Sequence, residues 1–317
     1  MVVVLRSVFL VLTLGVWGAW AQAPDAMARV VIVSSDAATA YTQTAEALTD
    51  QLVRQGIARA DIAQSLAADL AARFKSGKAP RPAVYVALGS EATQLLVASG
   101  TPAPVLSALI PRRSFDHIVR SLGKTVSARL SAIYLDQPLA RQLALVRLAL
   151  PQVRRLGVLW GDESADQVAG LRSLAAANGL ELQETRVTQA DDLPLALAQV
   201  LGGSDVLLAL ADPAIYNGNT LQNILMSSFR ARVPLVAFSP AYVRAGAVLA
   251  LYTTPLQAGQ QAAELVLGIL RGKPLPDRVV EPNIFEVGVN AHVARVLDLT
   301  LDAQALRLAL RRLERLP

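Results

Sequence analysis

The chain has 317 residues, 53% hydrophobic and only 17% charged, and 30 Lys and Arg against 25 Asp and Glu leave a formal net charge of +5. That balance excludes a disordered chain, which pairs high charge with little apolar residue to bury, and the length predicts two domains at roughly 150 residues each. With no cysteine, disulfide scaffolds, thiol chemistry and Cys-ligated zinc are excluded as well.

The first 23 residues read as an export leader. Arg6 supplies the positive start, Val8 to Trp17 the apolar centre, and Ala19-Trp20-Ala21 a small-x-small cleavage site. Cleavage after Ala21 is preferred, because cleavage after Ala23 would leave Pro24 at the new terminus. The apolar run is shorter than the ~20 residues a spanning helix needs. The expectation is a periplasmic protein without a lipid anchor, since no cysteine follows the leader. Loss of the leader removes Trp17 and Trp20 and leaves Trp160 alone, which argues against a sugar site of stacked indoles.

Short apolar runs then alternate with longer amphipathic ones. Strands are predicted at 29–33, 83–88, 105–109, 130–135, 155–160, 180–187, 206–210, 235–238 and 247–252. Most are continuous and rich in Val, Ile and Leu, as parallel strands buried on both faces require. Helices are predicted between them at 40–54, 65–75, 91–98, 138–148, 165–178, 192–201, 219–230 and 256–271, several closed by glycine (Gly56, Gly77, Gly100, Gly179, Gly272). This alternation means βαβ units in an α/β fold. So many units exceed one sheet, and the pattern pauses between Gly123 and Asp136. The expectation is two doubly wound parallel-sheet lobes.

Ligands of open α/β sheets bind at the carboxyl ends of the strands. The loops there are Ser34-Ser35-Asp36, Gly89-Ser90-Glu91, Pro111-Arg112-Arg113-Ser114, Gly161-Asp162-Glu163-Ser164, Asp212-Pro213 and Ser239-Pro240. Ser34, Ser35 and Ser90 each precede a helix, where a hydroxyl caps orphan N–H groups or shares them with an anion. Arg112 and Arg113 are either a solvated rim or a planar fork for a carboxylate or phosphate. Asp162 or Glu163 starts the next helix, where the dipole favours an acid, and Asp212-Pro213 marks a turn; or these acids face a base across a cleft, a pairing suited to a zwitterion. His117 and His292 lie far apart with no metal-spaced partner, and no nucleophile elbow, zinc helix, P-loop or dinucleotide fingerprint occurs. The basic residues are scattered up to the last helix, where Arg307, Arg311, Arg312 and Arg315 lie with Leu306, Leu310 and Leu313. Neither an enzyme, a cofactor, a metal nor a nucleic-acid partner is expected.

The stretch 143–151 (LALVRLALP), followed by 155–159 (RLGVL), resembles the central region of ABC-transporter substrate-binding proteins related to the tryptophan and tyrosine importers. The pieces 233–239 (VPLVAFS), 246–250 (GAVLA), 259–264 (GQQAAE), 269–274 (ILRGKP) and 285–290 (FEVGVN) are similar to that family's later motifs, in order. The resemblance covers residues 138–299, roughly half the chain. It implies a type I periplasmic-binding-protein fold, two lobes joined by a three-strand hinge. One lobe would be 24–132 plus 253–281, the other 133–252 plus 282–317.

It further implies a ligand-binding role for Ser34, Ser90, Asp162, Asp212 and Ser239, with Ser35, Glu91, Arg112, Arg113 and Asp136 beside them. Leu135-Asp136-Gln137-Pro138 replaces the family's Thr-Gly before the central helix, and Ile110-Pro111-Arg112-Arg113 replaces its Thr/Asp loop. The implied function is capture of a small amino-acid-like or organic-anion solute and its delivery to an ABC permease. The alternative is a sensing or scaffold module that reports to a membrane receptor.

Overall fold

The computed structural model describes residues 28–315; the expected leader lies outside them. The first lobe is built from β1 (Val30–Ser34), α1 (Thr39–Arg54), β2 (Ile62–Leu66), α2 (Ala67–Lys75), β3 (Val84–Leu88), α3 (Ser90–Ala98), β4 (Val105–Ile110), α4 (Arg112–Ser121) and β5 (Leu130–Tyr134). Its five strands are all parallel, in the order β2-β1-β3-β4-β5. The apolar runs explain this, since Val30 to Val33 and every residue of β3 are buried.

The second lobe starts with α5 (Leu139–Ala149) and continues through β6 (Arg155–Trp160), α6 (Ala165–Ala177), β7 (Glu181–Arg186), α7 (Leu193–Gly203) and β8 (Val206–Ala209). Then follow α8 (Leu221–Arg230), β9 (Leu235–Ala237), α9 (Pro240–Ala245) and β10 (Leu249–Tyr252). After α10 (Pro255–Leu270) come β11 (Glu286–Val289), α11 (Ala291–Val296) and α12 (Ala303–Leu313). Its sheet runs β11-β10-β9-β8-β6-β7.

Helix α10 goes back to the first lobe. Its Ala262, Ala263 and Val266 join Leu48 and Leu52 of α1 over Val30, Ile32 and Val86. The turn into α10 is fixed by a capping box, in which the Thr254 hydroxyl accepts from the Gln257 backbone N–H (3.2 Å) and the Gln257 side-chain oxygen Oε1 accepts from the Thr254 backbone N–H (3.0 Å). Helices α5 and α12 cover one face of the second sheet through Leu143, Val146, Leu306 and Leu310. Leu197, Val200 and Ile224 cover the other. The chain therefore passes between lobes three times, after β5, after β10 and before β11.

Four expectations are corrected. The second sheet is not wholly parallel, because β11 pairs antiparallel with β10. Strand β5 stays in the first sheet through Tyr134, which pairs with Ile110, so the first passage begins after residue 134 rather than 132. Residues 62–66 form an edge strand where none was predicted, so the helix expected from residue 65 begins at Ala67; only alternate positions are covered, which an edge permits. Arg112 and Arg113 lie in the first turn of a helix, not in a loop, because Phe115, Ile118 and Val119 at helical spacing are pulled into the core.

Candidate functional site

The strand tips of both lobes converge beside the three passages. Against them lies a cavity of about 300 Å³ lined by residues of both lobes. Its walls are mainly apolar: Pro111 and Leu135 from one side, Phe238, Pro240 and Leu251 from the other. The register shift in β4, where Leu109 takes a φ of 50°, precedes the turn that brings Pro111 there. Phe238 stacks on Tyr242 with centroids 4.9 Å apart and meets Tyr216 edge-on at 6.2 Å. That wall is therefore rigid aromatic surface.

Five side chains with polar atoms interrupt the walls: Asp136, Gln137, Ser239, Tyr252 and Thr253. Asp136 accepts the Arg112 N–H through one carboxylate oxygen (2.6 Å), capping α4 across the passage. Burial pushes its pKa above the ordinary aspartate value, with the Arg112 N–H bond opposing. Gln137 is 6% exposed, and its amide nitrogen donates to the Thr253 hydroxyl (2.8 Å), which donates to the Ile284 carbonyl (2.9 Å). Ser239 precedes α9, has Pro240 after it, and makes no capping bond.

The other sequence candidates lie apart from this cavity. Arg113 crosses the cleft, its guanidinium donating to the Asp162 carbonyl (2.5 Å) and pairing with the Glu163 carboxylate (2.5 Å). With Ser90, His117 and Glu163 it lines a separate groove of about 470 Å³. The Asp162 carboxylate is held by Arg186 (2.7 Å). Arg112 lies over the Tyr134 ring and beside Asp116 (3.7 Å), and with Asp136, Gln137 and Gln167 it lines a separate cavity of about 400 Å³.

Ser35 is spent on structure: its hydroxyl donates to the Leu88 carbonyl (2.9 Å) and accepts the Ala92 N–H (3.1 Å) at the start of α3. The adjacent Gly89 has φ +87°, and a Cβ there would stand 2.7 Å from the Ser35 hydroxyl, so only glycine suits that close approach. Asp212 is fully buried and accepts from the Ser164 hydroxyl (2.8 Å) and from the Gly161 (3.2 Å) and Ala214 (3.0 Å) N–H groups. It closes a turn and faces no cavity. Ser34 ends β1 and Glu91 is exposed on α3, and neither lines the cavity by the hinge.

Sequence reasoning overlooked Gln137, Phe238, Tyr252 and Thr253. It sought polar groups after strands, whereas Phe238 and Tyr252 sit at the ends of apolar runs and read as core. The signal available was position alone: all four follow or end strands that reach the cleft.

Two α/β lobes whose strand tips meet at a shared, mostly apolar cavity have the type I periplasmic-binding-protein fold. The chain belongs to the ABC transporter substrate binding protein family, whose pattern matches residues 27–312. It is 22% identical over 237 residues to the tyrosine-binding protein of Clostridioides difficile (strain R20291), a match spanning 73% of this chain and 66%, just under two thirds, of that relative.

The fold is similar to a ligand-free, open substrate binding protein with adhesive properties from Clostridium difficile (TM-score 0.71, 18% identity, 86% of this chain and 96% of that one). It is also similar to an ABC domain in complex with L-Trp from Streptococcus pneumonia (TM-score 0.60, 16% identity, 88% and 97%). Among the described residues no helix is long and apolar enough to cross a membrane, and no group of three or more His, Asp or Glu is gathered to hold a metal.

Proposed function

We propose that the protein captures an amino-acid-like solute with an apolar side chain between its lobes and delivers it to the permease of an ABC importer, working in the periplasm after loss of a leader. The observation that carries this reading is the pairing of one partly buried carboxylate, Asp136, with aromatic and aliphatic walls in a cavity that both lobes line. A carboxylate attracts an ammonium, the walls exclude water from an apolar side chain, and the Ser239 hydroxyl is free to donate to the solute's carboxylate. The tyrosine-binding relative and the neighbour holding L-Trp support the same solute class. Ligand contacts from both sides would draw the two lobes together, a shift of population about the three passages. No covalent step is involved.

Calorimetry with L-tyrosine, L-tryptophan and organic acids tests the reading. Micromolar binding of the amino acids, with compaction in solution scattering, is expected. Heat only from organic acids, or none at all, would contradict it.

Two further outcomes follow. Affinity is fully present while Asp136 is ionised and falls as pH drops through its raised pKa, so the loss begins above the pH at which a surface aspartate protonates. Titrations between about pH 8 and about pH 4 should show this, and Asp136→Asn should lack that limb of the profile. Arg113→Ala removes the strap between the lobes. Its ion pair is half-exposed and thus worth about 0.2–1 kcal/mol, so scattering should report a modestly larger radius for the ligand-free protein and an unchanged one for the bound form. An unchanged ligand-free radius would mean that the strap does not bias opening.

A further inference from the structure

Arg141, on the first turn of α5, is only 4% exposed. Its Nε and Nη2 donate to the Glu314 carboxylate, at 2.7 and 2.6 Å. Its Nη1 donates both to the Gln137 side-chain carbonyl (2.8 Å) and to the Pro282 backbone carbonyl (2.7 Å). The guanidinium plane lies over the Phe285 ring, 4.4 Å from its centroid. A buried ion pair is costly to desolvate and is a poor device for stability alone. Here its donors reach the first passage at Gln137, the third at Pro282, and the end of α12 at Glu314. The second passage joins through Thr253, which binds Gln137 on one side and Ile284 on the other. One hydrogen-bonded network therefore holds all three connections between the lobes.

Arg141 also decides which way the Gln137 amide points. A guanidinium only donates, so the Gln137 oxygen must face it and the nitrogen must face Thr253. That fixes the Gln137 side chain and the peptide before it, and the preceding residue is Asp136. We propose that Arg141 is a positioning residue of the solute site, acting through Gln137 to hold Asp136 in the cavity and to keep bending confined to the short passages. The proposal rests on the cavity being the solute site.

The test uses the mature full-length protein and three variants: Arg141→Lys, Gln137→Met and the double variant. L-tyrosine affinity is measured well below every melting temperature, and amide exchange is followed in the ligand-free state. A lysine cannot reproduce the fork, so Arg141→Lys should lose about tenfold in affinity, the scale of one hydrogen bond to a charged group. Exchange should rise at 135–138, 253–254 and 281–285 while the two sheets stay protected. The double variant should be no weaker than the worse single one, because Arg141 acts through Gln137. A lower melting temperature with unchanged affinity and unchanged exchange would overturn the proposal, and so would additive losses. Should Arg141→Lys fail to fold, Glu314→Gln, which keeps an acceptor and removes the charge, is read by the same criteria. If the unaltered protein binds neither L-tyrosine nor L-tryptophan, the solute assignment fails; the exchange pattern of the variants then still decides whether Arg141 restrains the passages.

Discussion

Asp136→Asn is expected to weaken L-tyrosine binding by roughly ten- to a hundredfold, the range for loss of a charge-assisted hydrogen bond, with little change in melting temperature. The two effects separate because Asp136 has two tasks. One oxygen accepts the Arg112 N–H and caps α4, which an asparagine carbonyl can also do. Only the negative charge in the cavity is lost. Asp136→Leu removes both, and should cost the cap as well, about 1 kcal/mol. Calorimetry and a thermal melt on the two variants read the split directly. An Asp136→Asn protein that binds as tightly as the unaltered one would remove the carboxylate from the recognition scheme and leave the apolar walls to carry it.

The largest effect on stability is expected at Gly259. It lies in α10 where that helix crosses α1, and a Cβ there would stand 2.5 Å from the Thr44 carbonyl oxygen, 2.8 Å from the Ala47 Cβ and 2.9 Å from the Leu48 nitrogen. Two of these are backbone atoms inside a helix and cannot step aside alone. Gly259→Ala must push the helices apart, which costs about 1–3 kcal/mol and lowers the melting temperature by roughly 3–10 °C. Gly170→Ala in α6 is the matched control. A Cβ there meets nothing within 4 Å, and alanine is the better helix former, so it should be neutral or stabilising. Equal melting temperatures for the two variants would mean that α1 and α10 are not held at this distance.

The fold was legible wherever burial on both faces wrote a continuous apolar run, as in β1, β3, β6 and β8. At the sheet edges it was legible in β5 and β7 but not in β2, which exposes alternate residues and where Gln64 and Ser65 hide it; β11, short and half-exposed, was readable only through the family resemblance at 285–290. Helix α4 was hidden by the Arg-Arg-Ser at its start, although Phe115, Ile118 and Val119 carried the spacing. The site was legible as a place, the ends of the strands, but not as a set of atoms. Ser35 and Asp212 stand at strand tips beside Asp136 and Ser239 in the sequence reading, yet turns consume their hydrogen-bonding capacity. Which oxygens remain for a ligand depends on partners such as Ala92, 57 residues from Ser35, or Ser164, 48 residues from Asp212, and a linear pattern does not contain that information.

The return of α10 to the first lobe bears on how the chain is made. The Thr44 hydroxyl donates to the Pro255 carbonyl (3.1 Å) across 211 positions. A growing polypeptide that has emerged only as far as β10 carries all five strands of the first sheet, yet one face, around Ile32 and Val86, still lacks its cover of Ala262 and Val266. The half synthesised first is thus sealed only after β10 has been made, and the second half, which still needs β11 and α12, later again. Such distant closure slows folding.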